Sequence, residues 1–141
     1  MPTRQQAIDF ILDHYEHPRH PGRLEQPDLV LQGGNPGCGD VVTYTLRLDA
    51  DERICAVAFE GAGCTISQAA ASLMTEKVLG RTLAEVAALS QDPLIDELGR
   101  EVVSTRLRCA TLGLNTLKLA EKKFRAGLAA PAVDDKITAH A

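Results

Sequence analysis

The hydrophobic period changes once along this chain, and that change constrains the fold more than any other feature. From Val41 to Leu48 apolar residues alternate, with Val42, Tyr44, Leu46 and Leu48 on one side and Thr43, Thr45 and Arg47 on the other. Period two of this kind marks a half-buried antiparallel strand. Asp49–Arg53 reads as a polar turn and Ile54–Glu60 as the return strand, with Cys55, Val57 and Phe59 sharing a face. A shorter apolar run, Leu29–Leu31, adds an edge strand closed by Gly33-Gly34-Asn35-Pro36-Gly37. Beyond Gly61-Ala62-Gly63 the period becomes helical. Thr65 and Gln68 have capping-box spacing, Ile66, Ala69, Ala70 and Leu73 line a stripe, and Gly80 supplies the stop. Thr82 and Glu85 repeat the cap signal for a short helix, and Asp92-Pro93 opens another turn that Gly99 ends. A last helix is expected from Thr105 to Arg125, with Leu107, Ala110, Leu114, Leu117 and Phe124 at three–four spacing.

Ahead of the strands, Thr3 and Gln6 cap a helix whose stripe is Ile8, Ile11, Leu12 and Tyr15. It ends near Glu16–His17, because Pro18 restricts the residue before it. His17–Pro27, with three prolines, reads as an irregular connector. Strands grouped first and helices later predict an α+β domain. Its three-stranded antiparallel sheet carries helices packed on one face and leaves the other largely solvated. Residues 1–125 form that single domain, and the Ala-rich residues 126–141 read as a flexible tail.

Composition narrows the function classes. In 141 residues, 45% are hydrophobic and 24% charged, which is ordinary for a globular domain and excludes disorder. Fifteen Lys and Arg against nineteen Asp and Glu give a net charge of −4, and 4% of residues are aromatic. A phosphate-backbone binder needs a basic face, so no nucleic-acid partner is expected. No apolar run approaches the roughly 20 residues of a membrane span, so no membrane partner is expected either. The first residues lack an uncharged hydrophobic core and a small-residue cleavage site, so the expected location is the cytoplasm.

Four cysteines remain to be explained. A disulfide framework belongs to small secreted chains, so metal-binding, reactive or buried thiols are expected instead. Cys38, Cys64 and Cys109 lie beside glycines or polar turn residues, whereas Cys55 sits in the alternating strand and reads as a plain buried thiol. In Cys38-Gly39-Asp40, thiol and carboxylate at i and i+2 can converge on one ion, and flanking Gly37 and Gly39 let the backbone close around it. Cys64 directly precedes a helix N-terminus, where the macrodipole stabilises a thiolate. Cys109 follows Arg108, whose fixed charge acts in the same direction. Three cysteines and one aspartate make four ligands, enough for tetrahedral zinc or one iron–sulfur cluster. His14, His17 and His20 recur every third residue, but Pro18 and Pro21 break any common face. They read as a helix ending or docking surface rather than as ligands.

Four segments together carry a family resemblance. Asp13-His14-Tyr15-Glu16-His17-Pro18-Arg19-His20-Pro21-Gly22, Asn35-Pro36-Gly37-Cys38-Gly39-Asp40, Gly61-Ala62-Gly63-Cys64-Thr65-Ile66-Ser67-Gln68, and Arg108-Cys109-Ala110-Thr111 stand in that order. They resemble the motifs of the IscU/SufU iron–sulfur cluster assembly family, whose relatives include the N-terminal part of NifU. The resemblance implies that Cys38, Asp40, Cys64 and Cys109 form one site for Zn²⁺ or a [2Fe–2S] cluster, with iron arriving during assembly. It implies a cysteine desulfurase as sulfur donor and downstream cluster carriers or apo-proteins as acceptors. IscU-type members have a His before the third cysteine and a Leu-Pro-Pro-Val-Lys motif upstream, where this chain has Arg108 and EVVSTRL over residues 101–107. The wording around Cys64 and Cys109 is SufU-like, yet the extra segment that SufU members carry between the second and third cysteines is missing. Sulfur carrier and cluster scaffold therefore both stand as readings.

A thiolate must attack the persulfide sulfur of the donor. Cys38, on a glycine-flanked loop, moves most cheaply and is the first choice of acceptor, with Cys109 second and Arg108 as anion stabiliser. A purely structural zinc site in an interaction domain is the alternative. A cysteine hydrolase lacks support, because no Cys-His context supplies a base.

Overall fold

The computed structural model describes residues 2–35 and 39–129. Helix α1 (Arg4–Glu16) opens with the expected capping box, Thr3 accepting from the Gln6 N–H and Gln6 accepting from the Thr3 N–H. It buries Ala7, Ile11 and His14, while Leu12 and Tyr15 are exposed. The expected stripe is thus rotated. A polar residue, His14, occupies a core position that apolarity alone assigns to its neighbours, and the Ser72 hydroxyl is the partner that makes its burial tolerable.

Three antiparallel strands follow in the order β1 (Leu29–Asn35), β2 (Asp40–Leu48) and β3 (Ile54–Ala62). β1 runs straight through Gly33 and Gly34, where the sequence predicts a turn. A Cβ on Gly33 would lie 2.1 Å from the Thr116 hydroxyl, so this glycine lets a helix approach the sheet rather than ending the strand. One sheet face carries Leu31, Val42, Tyr44, Leu46, Val57 and Phe59 into the core. The other face is less solvated than expected, because the connector crosses it. His20 and Gly22 pair with Phe59 on the β3 edge, and the Leu24 N–H then reaches the buried Thr45 hydroxyl.

Cys55 is exposed, not buried. The register places Leu48 opposite Ile54 and Arg47 opposite Ala56, so Cys55 is the extra residue of a β-bulge. The bulge resets the alternation: Ile54 turns inward in its place, and the thiol reaches the Arg47 carbonyl at 3.4 Å.

Helices α2 (Thr65–Val78), α3 (Leu83–Ala87), α4 (Asp92–Leu98), α5 (Arg100–Val103), α6 (Leu107–Leu117) and α7 (Ala120–Ala129) complete the fold. The cap of α2 is Cys64 itself rather than Thr65. The single last helix expected from 105 to 125 is two, broken at Lys118–Leu119. Leu114, Leu117 and Ala120 stay buried at three–four spacing across the break, so periodicity does not reveal it. Locally, the Thr116 hydroxyl bonds back to the Leu112 carbonyl, a contact that bends helices, and the Leu119 N–H tightens onto Thr116. α6 lies against both α2 and β1. Gly113 lets it approach so closely that a Cβ there would meet the Tyr44 hydroxyl at 2.6 Å, and this hydroxyl donates to the Ala71 carbonyl. α7 runs to Ala129, and the rest of the expected tail lies outside the described residues. Among the described residues, no helix is long and apolar enough to cross a membrane.

Candidate metal centre

Asp40, Cys64 and Cys109 come from three elements and meet at one end of the sheet, their ligand atoms all within 4.8 Å of one another. Asp40 opens β2, paired across the hairpin with Asn35 of β1. Cys64 caps α2, its sulfur 3.4 Å from the Ser67 N–H that it accepts. Cys109 sits in the first turn of α6 and is 2% exposed. The two cysteines of the cluster thus stand at the N-terminal ends of two different helices, α2 and α6.

The carboxylate is held in place by its surroundings. Its Oδ1 accepts the Cys64 N–H at 2.8 Å, while Oδ2 lies 4.0 Å from the Cys64 sulfur and 3.5 Å from the Asn35 amide. The chain passes so near it that a Cβ on Gly63 (φ +136°) would sit 2.2 Å from Oδ1. Burial pushes the Asp40 carboxyl up, but hydrogen bonds from the Cys109 thiol, the Cys64 N–H, Asn35 and Ser67 outweigh it and leave Asp40 more acidic than usual. The complement appears at Cys109. Burial first, then the neighbouring Asp40 and Cys64, pushes its thiol up to about 12. An anionic, oriented carboxylate beside a thiol that resists ionisation is the state a divalent cation relieves, by displacing the proton.

Of the residues singled out in the sequence, Asp40, Cys64 and Cys109 are brought together. Cys38 lies outside the described residues. Arg108 has an exposed side chain, and its carbonyl accepts from the Asn35 amide at 3.2 Å. His14 is 2% exposed, its Nδ1 2.8 Å from the Ser72 hydroxyl, so it belongs to the core and not to a docking surface. Sequence reasoning missed Asn35 and Ser67 as partners of the carboxylate. For Asn35 the signal was there: a residue flanking the loop before Asp40 becomes its cross-strand neighbour once the hairpin closes.

Residues 6–130 match the family described as NifU-like N terminal domain. The chain belongs to this family. Among its NifU-like relatives is the iron–sulfur cluster assembly scaffold protein IscU of Streptococcus pyogenes, 37% identical over 130 residues, covering 80% of each chain. The zinc-dependent sulfurtransferase SufU of Bacillus subtilis is 33% identical over 134 residues, covering 83% of this chain and 90% of that one. The crystal structure of a scaffold protein for the SUF system from Fervidobacterium islandicum superimposes with a TM-score of 0.66 at 30% identity. That match covers 79% of this chain and 93% of the other. Relatives named for both branches thus match this NifU-like chain to a similar degree, in keeping with its mixed motifs.

Proposed function

We propose that this protein serves iron–sulfur cluster assembly, taking persulfide sulfur from a cysteine desulfurase at a site formed by Cys38, Asp40, Cys64 and Cys109. The observation that carries the reading is the convergence of Asp40, Cys64 and Cys109 from three separate elements onto one point. Cys38 is the fourth ligand of this reading: it stands two residues before Asp40, and two residues of chain span at most about 7 Å. Thiolate and carboxylate donors suit zinc and iron–sulfur clusters alike. Zinc bound there keeps the thiols deprotonated and correctly spaced until one is needed.

The transfer step is an exchange with no net redox change. A thiolate of this chain attacks the terminal sulfur of the donor's Cys–S–SH. The donor's S–S bond breaks, its cysteine leaves as thiolate, and a new Cys–S–SH forms here. Cys38 is the acceptor, because Cys109 is buried in a helix and Cys64 is tied to the Ser67 N–H. Arg108, exposed at the α6 N-terminus, places positive charge on the rim where the anionic sulfur arrives. The persulfide then passes to apo-proteins or downstream carriers in the cytoplasm; or an external two-electron reductant, such as a thiol, cleaves it to sulfide, which joins iron as a [2Fe–2S] cluster on the same ligands.

Anaerobic purification with metal and acid-labile sulfide analysis, coupled to alanine release by the cognate desulfurase, tests the reading. Zinc without sulfide, with faster alanine release, is the carrier outcome; iron with matching sulfide is the scaffold outcome. Tightly held zinc with no effect on the desulfurase overturns the proposal in favour of a structural site.

A further inference from the structure

Beside the metal centre, a groove of about 710 Å³ runs between the end of α1, the connector and β3, with Tyr15, Pro18, Pro21 and Gln68 among its walls. Its floor includes Glu60, Gly61 and Ala62 at the end of β3 and Gly63 just beyond it, all exposed. Strand alternation decides what that floor offers. Phe59 turns its N–H and C=O away from β2, where they bond to His20 and Gly22 of the connector. Gly61, two residues on, turns its own N–H and C=O the same way, but the connector has by then crossed towards Leu24 and Thr45. Among the described residues, the strand edge is thus covered up to Phe59 and open at Gly61, three residues before Cys64. Natural proteins cover or blunt such edges unless something pairs with them.

We infer that this open edge of β3 receives an extended segment of the sulfur donor as an added strand, which continues the pairing that the connector begins. The inference rests on the sulfur-transfer reading above. The occupant is polypeptide main chain, because the slot presents one N–H and one C=O at strand spacing between aromatic and proline walls. Glu60, next to Gly61 along the strand, is already ion-paired with Arg23 at 2.8 Å. The occupant is the segment that bears the reactive sulfur, because the slot leads to the thiols. An added strand advances about 3.3 Å per residue, so a residue two or three positions past the one paired with Gly61 lies level with Cys64. Gly61 itself must stay glycine: a Cβ would lie 2.6 Å from the Val41 carbonyl and 2.8 Å from the Gln68 amide oxygen.

The test leaves Gly61 unchanged and reads its amide by NMR hydrogen exchange in the full-length protein, with and without the cognate cysteine desulfurase at saturation. We expect Gly61 exchange to slow by about tenfold or more, while amides on the outer edge of β1 are unaffected. Independently, Tyr15→Ala should raise the concentration giving half-maximal alanine release by roughly three- to tenfold, from the loss of one aromatic wall. Unaltered Gly61 exchange in a complex that does accelerate alanine release overturns the strand slot and leaves the carrier reading standing. No acceleration by the unmutated protein removes both. The exchange measurement does not depend on the variant folding.

Discussion

Replacing Gly63 by alanine is the sharpest probe of how the carboxylate is held. Two costs act there. The φ of +136° is strained for any residue with a Cβ, at about 1–3 kcal/mol. The new methyl would also lie 2.2 Å from Asp40 Oδ1 and 2.8 Å from its Cα, and backbone cannot swing aside as a side-chain tip can. Overpacking of this kind costs about 1–3 kcal/mol more. Gly80→Ala is the matched control: its φ is +84°, yet nothing lies within 4 Å of the added Cβ. Gly80→Ala carries a backbone cost without a collision, so the difference between the two variants, about 1–3 kcal/mol, reports the collision together with the smaller difference between the two backbone conformations. Together the two costs of Gly63→Ala come to about 2–6 kcal/mol, against a domain stability of about 5–15 kcal/mol. In urea denaturation of the metal-free protein, Gly63→Ala should be the less stable by that difference. In chelator competition its zinc affinity should fall by about 10–100-fold, as when the group that orients a ligand is lost, while Gly80→Ala binds like the unmutated protein. Equal stability of the two variants with undiminished zinc affinity in Gly63→Ala would refute the close passage of the chain over Asp40 as what fixes the ligand.

Three further outcomes follow from the same geometry. Burial, and then the Arg19 charge, lowers the His14 pKa below 6.5, outweighing the pull of Glu76, Asp13 and Glu97. The unfolded chain therefore takes up a proton that the folded one refuses, so His14's contribution is complete above about pH 6.5 and is lost as pH falls below it. His14→Asn should flatten the urea midpoint over this range. Zinc binding must strip the raised proton from Cys109, so affinity should rise with pH. Calorimetry in buffers of different ionisation enthalpy should show about one proton fewer released by Cys109→Ser. Cys55, exposed on its bulge, should be the first thiol to react with a disulfide reagent in the zinc-loaded protein. Cys55→Ser should keep full metal stoichiometry; loss of metal there, with retention in Cys109→Ser, would show the ligand set to be wrong.

The elements that followed the sequence are those whose signals are local. The capping boxes at Thr3 and Thr82 involve residues three apart and form as read. Alternation identified β2, and the change of period after Gly63 identified α2, although the cap is Cys64 and not the Thr65 that its spacing from Gln68 suggests. What misled depended on distant partners. The α1 stripe is rotated because Ser72, 58 residues further along, accommodates His14. Gly33 and Gly34 look like a turn until α6 is laid across them. The Cys55 bulge depends on the facing strand, and the break at Lys118 falls where the apolar spacing continues undisturbed.

The amino-acid order alone determined the α+β class, the order of strands and helices, and the residue types gathered for a metal. All of these follow from hydrophobic period, caps and motif wording, which act over a few residues. Only the folded chain decided that Asp40, Cys64 and Cys109 share one point, that the Gly63 backbone passes over the carboxylate, and that among the described residues nothing pairs with β3 at Gly61. Such facts depend on which surfaces meet after the helices pack on the sheet, and residues 24 to 73 positions apart carry no local mark of meeting.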